Sequence, residues 1–181
     1  MRQVLLRLAL VVAAGIGMVL LVGAILPREF AIEQEVDIAA PRPAVFAQVN
    51  DLHRWLTWSP WRAEVIGAER IQIGEPASGE GAKMLWEDPR GQGKLWLTQS
   101  DPPSTVAYNS NLAQFQGIRG EFRLAEIPSG TRVTWTSQGR LPGGPFYGYF
   151  RYFFGAEMER QFQASLHRLK ADCEAAGATA K

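Results

Sequence analysis

Hydrophobic and polar positions change their rhythm twice along this chain. From Leu8 to Leu26 the sequence LALVVAAGIGMVLLVGAIL runs nineteen residues without a charge. As a helix it would be about 28 Å long, close to the hydrocarbon thickness of a bilayer. Pro27 ends the run, and charges resume at Arg28 and Glu29. The period then shortens to two. Phe30, Ile32, Val36 and Ile38 alternate with Glu33, Glu35 and Asp37, with Gln34 the one polar residue on the apolar side. That alternation predicts a half-buried strand. After Ala40-Pro41-Arg42-Pro43, with proline suited to a first helical turn, Val45, Phe46 and Val49 take helical spacing. His53 to Trp61 predicts a short helix or turn, stopped by Ser59-Pro60.

Extended segments separated by turn residues follow. They are expected at Val65–Ile73, Ala82–Glu87, Lys94–Ser100, Val106–Leu112, Ile118–Ile127 and Thr131–Gln138. Asp88-Pro-Arg-Gly91-Gln-Gly93 reads as a hairpin connection, and short strands at this spacing predict an antiparallel meander. The rhythm changes again near Pro145. Apolar residues at Phe146, Phe150, Phe154, Met158, Phe162, Leu166, Leu169 and Cys173 form one helical stripe, opposite Glu159, Arg160, Gln163, Arg168 and Lys170. A helix of roughly 28 residues would be about 42 Å long and needs a broad surface to lie on. A curved antiparallel sheet supplies one, so the fold class is α+β.

With 181 residues the chain has room for one domain and a short appendage, expected as an anchor over 1–27 and a domain over 28–181. Setting aside Arg2 and Arg7, the remainder carries 17 basic against 18 acidic residues. Nothing in that balance drives binding to a phosphate backbone, so nucleic acid is not an expected partner. Cys173 is the single cysteine and His53 and His167 are the only histidines. An intrachain disulfide is excluded, and no metal site, haem or other cofactor is implied.

Arg2, Arg7 and the terminal amine precede the apolar run, and Glu29, Glu33, Glu35 and Asp37 follow it. By the positive-inside rule the N-terminus is cytoplasmic and the domain lies outside, a single-pass arrangement expected in a bacterial inner membrane with a periplasmic domain. A cleaved signal peptide is the rival, with small residues at Val22-Gly23-Ala24 where a peptidase could cut. The length of the run favours a retained anchor. Ala13 and Gly17 could pack on another helix, a weak signal.

Half of the six tryptophans fall in Trp55-Leu-Thr-Trp58-Ser-Pro-Trp61. Together with Ile38-x-Ala40-Pro41-x-x-x-Val45-Phe46-x-x-Val49-Asn50-Asp51, Gly79-x-Gly81-Ala82-x-x-x-Trp86 and Thr131-x-Val133-Thr134-Trp135, this run resembles the polyketide cyclase/dehydrase-like branch of the START superfamily, the SRPBCC proteins. The likeness covers about residues 30–175. It implies a helix-grip fold, in which a curved sheet wraps around the long C-terminal helix and leaves a cavity between them. It implies no fixed catalytic signature.

On that resemblance the cavity would be lined by Phe122, Leu124, Val133, Trp135, Phe150, Phe154 and Met158, with the site between Trp135 and Phe154. Trp86 and Met84 share a face of their strand that alternation leaves open. Trp58 and Trp61 would close one end. Such walls hold small apolar molecules, but aromatic and Met stripes more often simply fill a core. The ligand-binding candidates are therefore Trp58, Trp61, Trp86, Phe122, Trp135, Phe150, Phe154 and Met158, with no catalytic and no metal-binding residue assigned. Asp51 and Asn50 are expected to cap the adjoining turn. Seven aromatics in the nine residues Phe146–Phe154 leave Tyr147, Tyr149 and Tyr152 facing outward or toward a membrane interface. Glu87 and Glu157 are the carboxylates an acid–base reaction could recruit, and both are expected at the surface. Gly91-x-Gly93-Lys94 lacks the spacing of a phosphate loop.

The expected function is a membrane-tethered binding domain for a hydrophobic or amphipathic small molecule, a lipid among the candidates. A cyclase- or hydrolase-type enzyme using the same cavity is the first alternative. A module with a collapsed cavity that docks on membrane or partner is the second.

Overall fold

The computed structural model describes residues 2–89, 91–112 and 115–179, with the side chains of 150–154 and 178–179 excepted. The elements run in the order α1 (Arg2–Ile25), β1 (Glu29–Ile38), α2 (Arg42–Val49), α3 (Leu52–Trp58), α4 (Ala63–Ile66), β2 (Arg70–Ile73), β3 (Lys83–Asp88), β4 (Gly91–Asp101), β5 (Thr105–Leu112), β6 (Phe115–Ile127), β7 (Gly130–Arg140) and α5 (Tyr147–Thr179). The helix-grip α+β fold expected from the sequence is present. Seven antiparallel strands form one sheet in the order β1-β7-β6-β5-β4-β3-β2, and α5 lies against it.

Strand direction sorts the molecule into two ends. β1 starts where β7 finishes, with Glu29 opposite Arg140, and the turns after β3 and β5 lie at that same end. This end also receives α1 and sends off α5; it is called the α1 end below. At the far end, α2 follows β1, and α5 is clamped by its last turns. Lys170 donates to the carbonyl of Asp37 at 2.6 Å, the Glu174 carboxylate accepts from the Ala39 N–H at 2.8 Å, and Thr57 on α3 bonds Asp172 at 2.8 Å.

Local chemistry accounts for the short elements. Asp51 accepts from the His53 N–H at 2.9 Å and caps α3, while Asn50 accepts from the Ser100 hydroxyl at 2.7 Å. The stretch expected as an extended segment from Val65 instead makes one helical turn, α4, before β2. Gly67 ends that turn in the left-handed region at φ 66°, a conformation glycine adopts without a side-chain penalty. β4 begins at Gly91, earlier than expected, because Asp88 pairs directly with Gly91 and the glycine-rich stretch joins the ladder.

The stripe on α5 is buried at Phe162, Leu166, Leu169 and Cys173. Phe146 leaves the stripe and is 74% exposed, since it precedes the first helical residue and helical periodicity does not reach it. His53 and His167 are exposed. Of α1, whose most apolar 18-residue stretch has a mean hydropathy of 2.7, only Gly23 is buried.

Candidate ligand-binding cavity

The inner face of the sheet is set by alternation and register. Tyr108, Gly120 and Ser137 form one row across β5, β6 and β7, and Val106, Phe122 and Trp135 form the next. A Cβ at Gly120 would collide with the Tyr108 ring, so the missing side chain is what lets the phenol lie across β6. The tryptophan run descends onto these two rows. Trp55 meets Tyr108 and Phe122 edge-on at 5.3 and 5.6 Å, and Trp58 meets Phe122 and Trp135 edge-on at 5.8 and 6.2 Å. Trp61 meets Tyr108 edge-on at 5.3 Å. From the helix side, Phe162 stacks on Trp135 with centroids 4.1 Å and planes 25° apart. Edge-on and offset-stacked rings each add about 0.5–1.5 kcal/mol beyond area burial, and this block is closed to solvent. The interior at Trp135 is filled.

Free space begins on the α1 side of that block. A half-open, largely apolar cavity of about 310 Å³ remains there. Its floor is Phe30, Ile118 and Ser137, extended by Leu112 and Phe115 at the β5–β6 turn. Met158, Gln161 and Glu157 of α5 form the roof, Trp61 and Phe162 the inner wall, and Pro60, Val65 and Ile66 one side.

Polar groups are few and specifically placed. The Trp135 indole N–H donates to the Tyr108 hydroxyl at 3.0 Å. Burial pushes the Tyr108 phenol above its ordinary pKa and outweighs the opposing hydrogen bonds to Trp135 and Ser137, so the phenol stays neutral. An indole N–H can only donate. The phenol oxygen is thus the acceptor of that bond, and Ser137 is its other side-chain partner. Ser137 brings this polar network to the cavity lining. The carboxylates in the lining are Asp88 and Glu157. Glu157 pairs with Arg160 at 2.7 Å and accepts from Gln161 at 3.3 Å, which ties it to the helix surface.

Of the residues predicted from sequence, Trp61 and Met158 lie in the lining. Trp58, Phe122 and Trp135 lie in the filled block behind it. Trp86 faces inward across Gly93, which settles the open parity of β3, but stands outside the cavity wall. Its indole N–H, like that of Trp58, is buried without a partner among the described residues. Phe150 and Phe154 sit on α5 two turns and one turn before Met158, and their side chains lie outside the described residues. Sequence reasoning missed Phe30, Ile118 and Ser137. Ser137 has the same parity as Val133 and Trp135, so alternation could have found it. The α4 residues carried no such signal, because they were expected in a strand.

Comparison with known proteins agrees with this architecture. Among curated proteins, none matches the sequence. Three solved structures illustrate the shared fold. The Aha1 dimer from Colwellia psychrerythraea has 17% identity and a TM-score of 0.58, over 80% of this chain and 96% of that one. The KanY protein has 18% identity and a TM-score of 0.63, over 81% and 98%. The di-domain ARO/CYC StfQ from the steffimycin biosynthetic pathway has 12% identity and a TM-score of 0.63, over 84% of this chain and 52% of the larger one. A family profile described as "polyketide cyclase / dehydrase and lipid transport" matches residues 29–174, the whole grip from the first residue of β1 to the Glu174 clamp, and on that match the chain belongs to this family.

Proposed function

We propose that residues 28–181 are a receptor for a hydrophobic or amphipathic small molecule, held to a membrane by residues 1–27. The cavity carries this reading. At about 310 Å³ it lies at the lower edge of the range of ligand sites, roughly 300–1,000 Å³. At about 30 Å³ per water-sized group it holds an apolar body of roughly ten non-hydrogen atoms. That suits a ring system or one segment of an acyl chain, and it is too small for a whole two-chain lipid. Ser137 at the floor offers a hydrogen-bond donor to a carbonyl or hydroxyl, and the apolar walls supply the affinity. The length and hydropathy of α1 and the basic residues ahead of its apolar run support the anchor, with the domain on the periplasmic side.

Native mass spectrometry of the delipidated full chain, released from detergent and offered a length series of saturated fatty acids, tests this. The expected result is one acquired chain, with short members preferred. Met158→Trp, which fills the roof, should abolish it. A chain that acquires nothing, or acquires the same amount in the Met158→Trp variant, would sink the proposal.

A further inference from the structure

The anchor helix and the start of α5 touch through their backbones. A Cβ at Gly23 would collide with the Pro145 carbonyl, and a Cβ at Gly148 would collide with the Gly23 carbonyl. Each glycine is the condition for the other's position. The Tyr149 hydroxyl donates to the Val19 carbonyl at 2.7 Å. Val19 lies seven residues before Leu26, so the phenol reaches about 10 Å below the last residue of the apolar run. On the domain side the Leu141 N–H donates to the Arg28 carbonyl at 2.8 Å, which leaves little free chain between anchor and sheet.

Residues in these contacts border the cavity. Leu141 is part of its lining, as is Phe30 two residues beyond Arg28. Phe115, also in the lining, meets Tyr147 edge-on at 6.1 Å. The far end of the grip is closed by the aromatic block and the α5 clamp, so the cavity occupies the end from which α1 departs.

We propose that the cavity is held against the outer leaflet of the bilayer, with Pro145–Tyr149 seated among the lipid headgroups, so that an amphipathic ligand passes between leaflet and cavity without crossing open water. The proposal rests on the reading of α1 as a span. Aromatic rings are favoured at the headgroup level, and Phe146 is 74% exposed. Tyr147 and Tyr149, at the start of α5, are only half-buried, and a bilayer would cover what the domain leaves open.

The test uses the full chain in phosphatidylcholine vesicles, with an environment-sensitive nitrobenzoxadiazole label on Phe146→Cys or, at the far end of the sheet, on Ser129→Cys. β7 separates the two positions by about 35 Å. Cys173 does not compete for label, because it is buried and its thiol is pushed up to about 12, by burial first and then by Asp172 and Glu174. At 146 the emission should shift to the blue and be mostly lost when spin-labelled phosphatidylcholine is included; at 129 neither should happen. Gly148→Leu, which forces the two helices apart, should restore emission at 146. An unquenched 146, equal quenching at 129, or quenching that survives Gly148→Leu overturns the proposal. The intact mass separates the two readings: a chain trimmed of its first 24 residues refutes the anchor itself, whereas an intact, inserted chain with an unquenched label refutes only the orientation.

Discussion

Phe162 is the partition between the filled aromatic block and the cavity, and removing it should have two opposite effects. Its ring stacks on Trp135 at 4.1 Å, is 8% exposed, and forms part of the cavity wall. Phe→Ala in a core costs about 3–5 kcal/mol, the transfer of the ring plus the void left behind. Here the void joins a cavity that is already half-open, so solvent or ligand can occupy it and the cost should fall near 3 kcal/mol. At about 2–4 °C per kcal/mol for a domain of this size, Tm should fall by roughly 6–12 °C. Phe162→Leu keeps most of the apolar fill and should lose less than about 1.5 kcal/mol. The same Phe162→Ala change extends the cavity to the face of Trp135, so the variant should take longer fatty acids than the parent. Thermal unfolding of the full chain in detergent, paired with the fatty-acid length profile by native mass spectrometry, reads both. A loss of stability with an unchanged length profile would refute Phe162 as a wall. A change in Tm below about 2 °C would refute its place in the core.

Tyr108→Phe removes the acceptor for the Trp135 N–H and should cost about 1–3 kcal/mol by urea unfolding, the penalty of an orphaned buried donor; a value near zero would mean that the indole finds another acceptor. The second expectation concerns acid. The Arg132 guanidinium, which holds both oxygens of Asp37 at 2.7 and 2.9 Å, keeps that carboxyl below its ordinary range, and the Ala39 N–H does the same for Glu174. A depressed carboxylate contributes stability above its unfolded value of about 4 and loses it as the pH falls through the lower folded value. Asp37→Asn with Glu174→Gln should therefore lower Tm at neutral pH, and the gap from the parent should close in acid. Both groups are open to solvent, so the effect is small and screened by salt. A gap that stays constant down to about pH 2 would show that these carboxylates act through packing rather than charge.

Much of the architecture was legible in the sequence because it rests on periodicity. The two-residue rhythm of Phe30–Ile38, the turn chemistry between the later strands and the stripe from Met158 to Cys173 each report which side of an element meets the core. Periodicity fails where its assumption fails. Phe146 keeps the spacing of the stripe but precedes the helix, so it is exposed. Val65 and Ile66 look like strand residues, yet the αL turn at Gly67 closes them into a helical turn.

The candidate site was legible only in kind. An aromatic and methionine-rich interior was evident, but alternation reports which side chains face inward, not which inward-facing space stays empty. That was decided by contacts between residues far apart in the chain. Phe162 lies on Trp135, Trp58 and Trp61 pack onto strands β5 to β7, and Gly120 admits the Tyr108 ring, so the space at Trp135 fills and the remaining volume moves toward the α1 end. The sequence by itself determined the apolar leader, the antiparallel sheet, the long gripping helix and the family. Tertiary structure alone decided where the cavity lies and that it adjoins the start of α5 and the end of α1. The physical reason is that a cavity is a residual of packing, and packing is a sum over non-local neighbours that no local pattern records.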